Sequence, residues 1–343
     1  MAAPTSGGAV APLDAAIPDA NLACANGITP TVPKALGIYL LVDTNFIARG
    51  NEHWPKVVQG ITEYSRRKEA EGTSLGLRVI DPPLITPSLN IQDWVRDACV
   101  PERYDDPSVP VGPLPENVDR IASALTDITL SVTTPLKAAL EGALTYASSL
   151  KAAHPEEDKA LVLITDGFLD LSCATNAQDL AEIALRYRGQ GVSSYMVELL
   201  VPPPEIWPLP ITIPFWEQGT LIPLDPVARA GGTGEARSLD METESASDLA
   251  DKLIEIQRHA SGCAYWLPSD KTYDEVLLAI DTGFGPAPLP RLNDASECGA
   301  NGAYMEQEGS PPLIRACPES CDGIFASGRA PIWIDDCNLD TPN

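Results

Sequence analysis

At 343 residues, 44% hydrophobic and 21% charged, the chain has the composition of an ordinary folded protein, long enough for one large domain or two smaller ones. Its 48 acidic residues outweigh 23 basic ones, and the formal charge of −25 excludes the phosphate-neutralising surface that a nucleic-acid binder needs. The acidic residues are scattered rather than gathered into a calcium-binding loop, so they read as a soluble surface suited to a salty or extracellular setting.

The stretch from Met1 to Asp19 is rich in small residues and proline and has neither the basic nor the apolar part of a secretory signal. Residues 1–32 are expected to be a flexible leader whose start is internal to a longer precursor, the favoured reading, or that of a mature or engineered form. No apolar run has transmembrane length. The first regular element is Leu36-Gly37-Ile38-Tyr39-Leu40-Leu41-Val42, apolar at six of its seven positions and ending on Asp43. A continuous apolar run of that length predicts a strand buried on both faces, as in a parallel sheet covered by helices. A carboxylate at its carboxyl end sits where open α/β sheets place ligands.

Trp54, Val57, Val58, Ile61 and Tyr64 predict a helix over 53–67 with Asn51 as its cap. Leu75 to Ile80 reads as a strand stopped by Asp81-Pro82-Pro83. The Pro- and Asp-rich stretch 93–115, with Cys99, reads as a surface loop, after which Pro115 opens a helix carrying Val118, Ile121, Ala122 and Leu125. Thr134 is expected to cap, and Pro135 to start, a long helix whose Leu136, Ala139, Leu140, Ala143, Leu144, Ala147 and Leu150 share one face. A second strand–aspartate pattern follows: Leu161-Val162-Leu163-Ile164-Thr165-Asp166-Gly167, within a strand at 159–166.

A helix at 177–188 and a strand at 192–201 come next. Residues 202–224 are an insertion dense in Pro, Trp and Phe, either a rigid cap over the sheet or an exposed binding loop. Pro226 to Ala230 predicts a short helix, Glu235 to Leu239 an edge strand, Ala246 to His259 an amphipathic helix and Cys263 to Leu267 a closing strand. Gly231-Gly232-Thr233-Gly234 closes a helix with no lysine after it, so it is not a phosphate loop. This alternation predicts an α/β fold: a doubly wound, mostly parallel central sheet flanked by helices over 33–268. Residues 269–343 read as a small Cys-rich β/coil extension.

The eight cysteines include no C-x-x-C pair, and the three histidines stand far from every cysteine pair, which argues against zinc. An even count spread through loops predicts disulfides and an oxidising compartment: secreted, periplasmic or on the outer cell surface. Four of the eight fall in the last 46 residues, where a small core needs covalent support.

The strand ending at Asp43, Thr134-Pro135-Leu136 with Ala139-Leu140, and Leu163-Ile164-Thr165-Asp166-Gly167 resemble, in that order and spacing, the von Willebrand factor A domain. Ala230-Gly231-Gly232-Thr233-Gly234 and Cys263 after the last helix are similar to secreted bacterial members with a Cys-rich extension, especially those of myxobacteria. The resemblance implies a metal-ion-dependent adhesion site. There Mg²⁺ or Mn²⁺ is held by hydroxyls and aspartates, with an open position for a partner's carboxylate; a hard cation prefers such oxygen ligands. Asp43, Thr134 and Asp166 match that pattern. Asn45 stands at the first serine position, where its amide oxygen can coordinate. Ile47 stands at the second and has no donor, and Phe46 replaces a small residue.

Metal-free readings cover the same residues. Thr134 caps a helix, Asp166-Gly167 makes a strand-ending turn, and Asp43 bonds the loop around Thr134. The function implied is an extracellular or cell-surface module that engages a protein or polysaccharide through the sheet's carboxyl edge, with a degenerate metal site. The rival is a structural scaffold that displays the Cys-rich tail. An enzyme finds no motif: there is no G-x-S-x-G, no His-Glu-x-x-His, no Walker loop and no G-x-G-x-x-G after a strand.

Overall fold

The computed structural model describes residues 28–44, 53–81, 97–126, 128, 134–169, 173, 176–201, 220–298, 301–307, 311–327 and 330–335. The chain divides into two compact units, Val32–Trp266 and a smaller one made of both chain ends, Met1–Thr31 with Leu267–Asn343. No described helix is long and apolar enough to cross a membrane.

In chain order, β1 (Ile28–Pro30) belongs to the smaller unit. The larger unit begins with β2 (Val32–Pro33), β3 (Leu36–Val42), α1 (His53–Arg66), β4 (Thr73–Val79), β5 (Val109–Pro113) and α2 (Val118–Thr126). It continues through α3 (Leu136–Ala153), β6 (Asp158–Thr165), β7 (Phe168–Leu169), α4 (Ala177–Arg188), β8 (Val192–Leu200) and β9 (Thr220–Leu221). It ends with α5 (Asp225–Ala230), β10 (Arg237–Asp240), α6 (Ala246–Ser261) and β11 (Ala264–Trp266). Six strands form the central sheet in the order β10-β8-β6-β3-β4-β5. All neighbours are parallel except β4 and β5.

The continuous apolar run of β3 follows from this position. Ile38, Leu40 and Val42 join a core with α1, α2 and α6, while Tyr39 and Leu41 join a second core with α3, α4 and α5. Strand alternation sends successive side chains to opposite faces, so a strand with helices on both sides is apolar at every position. At Gly60, α1 comes so near α6 that an added Cβ would lie 2.8 Å from the Ala246 carbonyl oxygen and 2.9 Å from Leu249. Helix α6 starts on a reciprocal capping box between Ser245 and Asp248 and stops at Gly262, whose φ of 55° suits glycine.

Three expectations are corrected in this unit. The stretch 93–115 contains β5, antiparallel to β4 with Ser74 opposite Pro113 and Leu77 opposite Val109. Pro110 and Pro113 hide it from a propensity reading, yet prolines are tolerated on an edge strand because their missing N–H faces away from the sheet. The helix expected to open at Pro115 starts at Val118. The closing strand does not join the central sheet: Tyr265 pairs with Pro33 and Trp266 with Val32, antiparallel. Edge strand β10 does join it, beside β8. Asn51 and residues 202–219 lie outside the described residues.

The smaller unit contains β12 (Val276–Asp281), β13 (Pro286–Pro288), β14 (Arg291–Leu292), β15 (Ala303–Gln307), β16 (Leu313–Ala316), α7 (Pro318–Ala326) and β17 (Ile332–Asp335). Strands β1, β17, β12 and β13 make an antiparallel sheet in that order, and Trp333 is buried beneath it. The expected leader thus ends in structure: Ile28 pairs with Ile334 and Pro30 with Ile332. Three residues are too few for a periodicity to show, and the partner strand is supplied from the far end of the chain. Residues 1–27 lie outside the described ones. A Cys298–Cys317 disulfide crosslinks this unit, and Cys321 is also disulfide-bonded. Helix α7 was not expected.

Two predictions follow from the packing of α6. Gly60→Ala forces α1 and α6 apart and should lower the unfolding free energy by about 1–3 kcal/mol in urea, the usual cost of overpacking. The second concerns His259, whose Nδ1 lies 2.8 Å from the Tyr195 hydroxyl. Burial, then the Arg237 charge, lower the His259 pKa against an opposing pull from Glu255. Burial raises the Tyr195 pKa, so the phenol keeps its proton and donates to the neutral ring. The unfolded chain therefore binds the histidine proton more readily, and stability falls as the pH drops through about 6.5. The melting temperature of His259→Gln should decline less than wild type between neutral pH and the acid side of that value. Equal declines would remove His259 from the account.

Candidate functional site at the carboxyl edge of the sheet

Strand β3 has β4 on one side and β6 on the other, so the chain reverses its direction of winding at β3. After β3 it runs through α1 on one face and comes back to β6 through α3 on the opposite face. Open α/β sheets form a crevice at such a switch point, outside the carboxyl ends of the strands. Asp43 and Asp166 are the residues that follow β3 and β6 there. The Asp43 amide donates to the Ile164 carbonyl at 2.9 Å, continuing the register that sets Val42 beside Ile164.

Helix α3 begins at the same place. Thr134, two residues before its first turn, donates its hydroxyl to Asp43 Oδ1 at 2.9 Å. The Thr165 hydroxyl donates to Asp43 Oδ2 at 2.7 Å and accepts from the Gly167 amide at 3.2 Å. Asp43 and Thr134 are 1% exposed, Thr165 0% and Asp166 3%. The capping role expected for Thr134 is overturned. Pro135 occupies the N-cap position and no side chain caps the helix. The Thr134 hydroxyl proton goes to the Asp43 carboxylate, a charge-assisted bond about twice as strong as a neutral one.

Two residues at this edge escaped the sequence reading. Thr165 sat inside the Leu-Ile-Thr-Asp-Gly motif, but its neighbour Asp166 drew the assignment. Strand alternation carries the signal, because Tyr39, Leu41 and Asp43 share one face of β3 and Leu161, Leu163 and Thr165 the same face of β6. Glu198 is paired with Thr165 in register, and burial followed by the charge of Asp225 raises its carboxyl pKa. An acid inside the apolar run of β8 was visible in the sequence and went unread. The Asp166-Gly167 turn is present: Gly167 has φ 69°, and its carbonyl accepts from Ile222 at 3.0 Å. Asn45 and Ile47 lie outside the described residues.

Among the described residues, Asp43, Thr134, Thr165 and Asp166 are oxygen-bearing side chains that this edge brings together. A hard divalent cation wants about six oxygens in near-octahedral array, and each Asp43 oxygen here accepts a threonine proton. The isoleucine at position 47 has no donor atom. Among the described residues, the one group of three His, Cys, Asp or Glu ligand atoms within 4.8 Å of one another is His154, Glu156 and Glu157. That group stands before β6, at the other end of the strand from Asp166.

The edge also carries apolar surface. Leu200 ends β8 at 46% exposure, and Leu221 in β9, paired with Phe168 just past Gly167, is 64% exposed. A disulfide joins Cys99 to Cys173, tying the segment before β5 to the segment after β7.

No protein-family model matches the chain, and no curated protein does. Solved structures do. The VWA domain of SpRpn10 is 11% identical, covering 64% of this chain and 95% of its own, with a TM-score of 0.38. The pilus adhesin SpaC from Lactobacillus rhamnosus GG is 10% identical, covering 90% of this chain and 39% of its own, with a TM-score of 0.43. Proximal thread matrix protein 1 from the mussel byssus, solved with a zinc-occupied metal-ion-dependent adhesion motif, is 13% identical, covering 70% of this chain and 50% of its own, with a TM-score of 0.41. Likenesses this distant carry no argument about activity or partner. The fold of 32–266 is a doubly wound, mostly parallel α/β sheet with two strand-end aspartates at its switch point and a threonine at the mouth of α3.

The Cys99–Cys173 bond closes a loop across a sequence separation of 74 residues. Cys99→Ala/Cys173→Ala should cost about 2–5 kcal/mol in urea unfolding, the range for removing a native disulfide. Unchanged stability would show that the crosslink does not hold the two segments.

Proposed function

We propose that the chain is a secreted or cell-surface binding module of the von Willebrand factor A type, engaging a protein or glycan partner through the carboxyl edge of its sheet. The observation that carries this reading is the juxtaposition at that edge of a buried carboxylate–hydroxyl cluster with exposed leucines. Asp43, Thr134 and Thr165 fix the strand ends and the start of α3, while Leu200 and Leu221 offer apolar area to a partner. Exposed apolar side chains beside a rigid polar edge are a common form of interaction site. The disulfides support an oxidising, extracellular setting.

The adhesion site in this reading is degenerate. Asp43, Asn45, Thr134 and Asp166 are what an Mg²⁺ or Mn²⁺ ion would use, one ligand short at Ile47, and partner recognition does not pass through the ion. The role in this reading is non-catalytic: the Thr134 and Thr165 hydroxyls donate to the buried Asp43 carboxylate and hold the edge in shape.

Purified chain should bind a subset of probes on a glycan array or a panel of immobilised cell-surface proteins. Leu200→Asp/Leu221→Asp should reduce that signal at least about tenfold, the equivalent of 1.4 kcal/mol. Its melting temperature should stay within about 2 °C of wild type, as for surface substitutions. Undiminished binding by the double variant, or no binding to any probe, would sink the proposal.

A further inference from the structure

We infer that Asp43, Thr134 and Thr165 form a metal-independent clasp, in which one carboxylate between two hydroxyls joins β3, β6 and the start of α3. The inference rests on reading this edge as an adhesion-type site but on no particular partner. Its consequence is that the edge holds one arrangement with or without a divalent cation, so that binding through it resists chelators.

Each carboxylate oxygen of Asp43 accepts one hydroxyl proton, from Thr134 at 2.9 Å and from Thr165 at 2.7 Å. The two donors stand 91 and 122 residues from Asp43 in sequence, so the bonds tie together elements far apart in the chain. Adjoining bonds fix the clasp on three sides. The Asp43 amide donates to Ile164, the Gly167 amide to the Thr165 hydroxyl at 3.2 Å, and the Thr44 hydroxyl to the Ile80 carbonyl at 3.1 Å beyond β4.

The location decides the strength. Asp43, Thr134, Thr165 and Thr44 are at most 1% exposed. Water therefore competes little for these hydrogen bonds, and the low local dielectric strengthens them. A cation in this place would have to repay its own dehydration at a carboxylate that hydroxyl donors already serve. The two hydroxyls serve the Asp43 charge without that cost.

Thr165→Val keeps the shape of the side chain and removes the donor. Its melting temperature should fall by about 5 °C, as for loss of a hydrogen bond to a charged group in a domain of this size. The fall should be the same in EDTA and in millimolar Mn²⁺, and Thr165→Ser should recover most of it. Wild type itself should melt at the same temperature in both solutions. A Mn²⁺-dependent rise in wild type that Asp166→Ala abolishes would overturn the clasp, because a ligand that binds only the folded state must raise its stability. Full stability of Thr165→Val would overturn it equally. If Thr165→Val does not fold, Mn²⁺ titration of wild type and Thr165→Ser by calorimetry decides: heat of binding to a single site overturns the inference, and its absence together with a wild-type-like Thr165→Ser melt upholds it. None of these readouts uses a partner, so failure to find one leaves them intact.

Discussion

A carboxylate withdrawn from water must be met by donors or by charge, and Asp43 meets that demand at the point where the sheet changes its direction of winding. Its two oxygens take protons from the end of β6 and the entry to α3. Those are the two places where the chain comes back to β3 after crossing to the other face. The switch point is thereby locked by polar bonds inside a mainly apolar molecule, and the carboxyl edge inherits its shape from that lock. Proteins that keep a buried polar cluster fully bonded gain a single defined arrangement from it.

The rest of the larger unit packs around this edge by ordinary two-layer rules. Burial on both faces explains why β3 and β6 are almost wholly apolar until their final residues, where hydroxyl and carboxylate groups replace them. Helices α1 and α6 come together through Gly60 on one face, while α3 and α4 cover the other. The apolar core thus sets the plane of the sheet, and the polar residues appear only where strands leave it.

The smaller unit follows another logic. Its strands are short, and it depends on pairing between the two chain ends and on the Cys298–Cys317 crosslink. Between residues 267 and 343 the sequence has thirteen acidic residues against four basic ones, a charge density that opposes compaction and makes covalent support useful. A net charge this far from zero keeps the chain dispersed in solution.

Much of the fold could be read from residues alone. The apolar runs of β3 and β6, the seven-residue spacing of α3 and the polar–apolar alternation of α1, α4 and α6 each specify their element locally, because burial on a face imposes its own period. The aspartates at 43 and 166 marked the carboxyl ends of β3 and β6, where a charge follows directly on a buried strand. Less local features stayed hidden. Strand β5 was masked by its prolines, β1 and β7 by their shortness, and the role of Thr165 by the aspartate beside it.

What the sequence by itself determined was the α/β alternation, the buried strands and the neighbourhood of the candidate site. Only the tertiary structure decided which strand neighbours which, and that Thr134 serves the carboxylate of Asp43 and not the helix it precedes. The reason is physical. A hydroxyl chooses among all donors and acceptors within reach, and for Thr134 the strongest acceptor within reach is supplied by a residue 91 positions away.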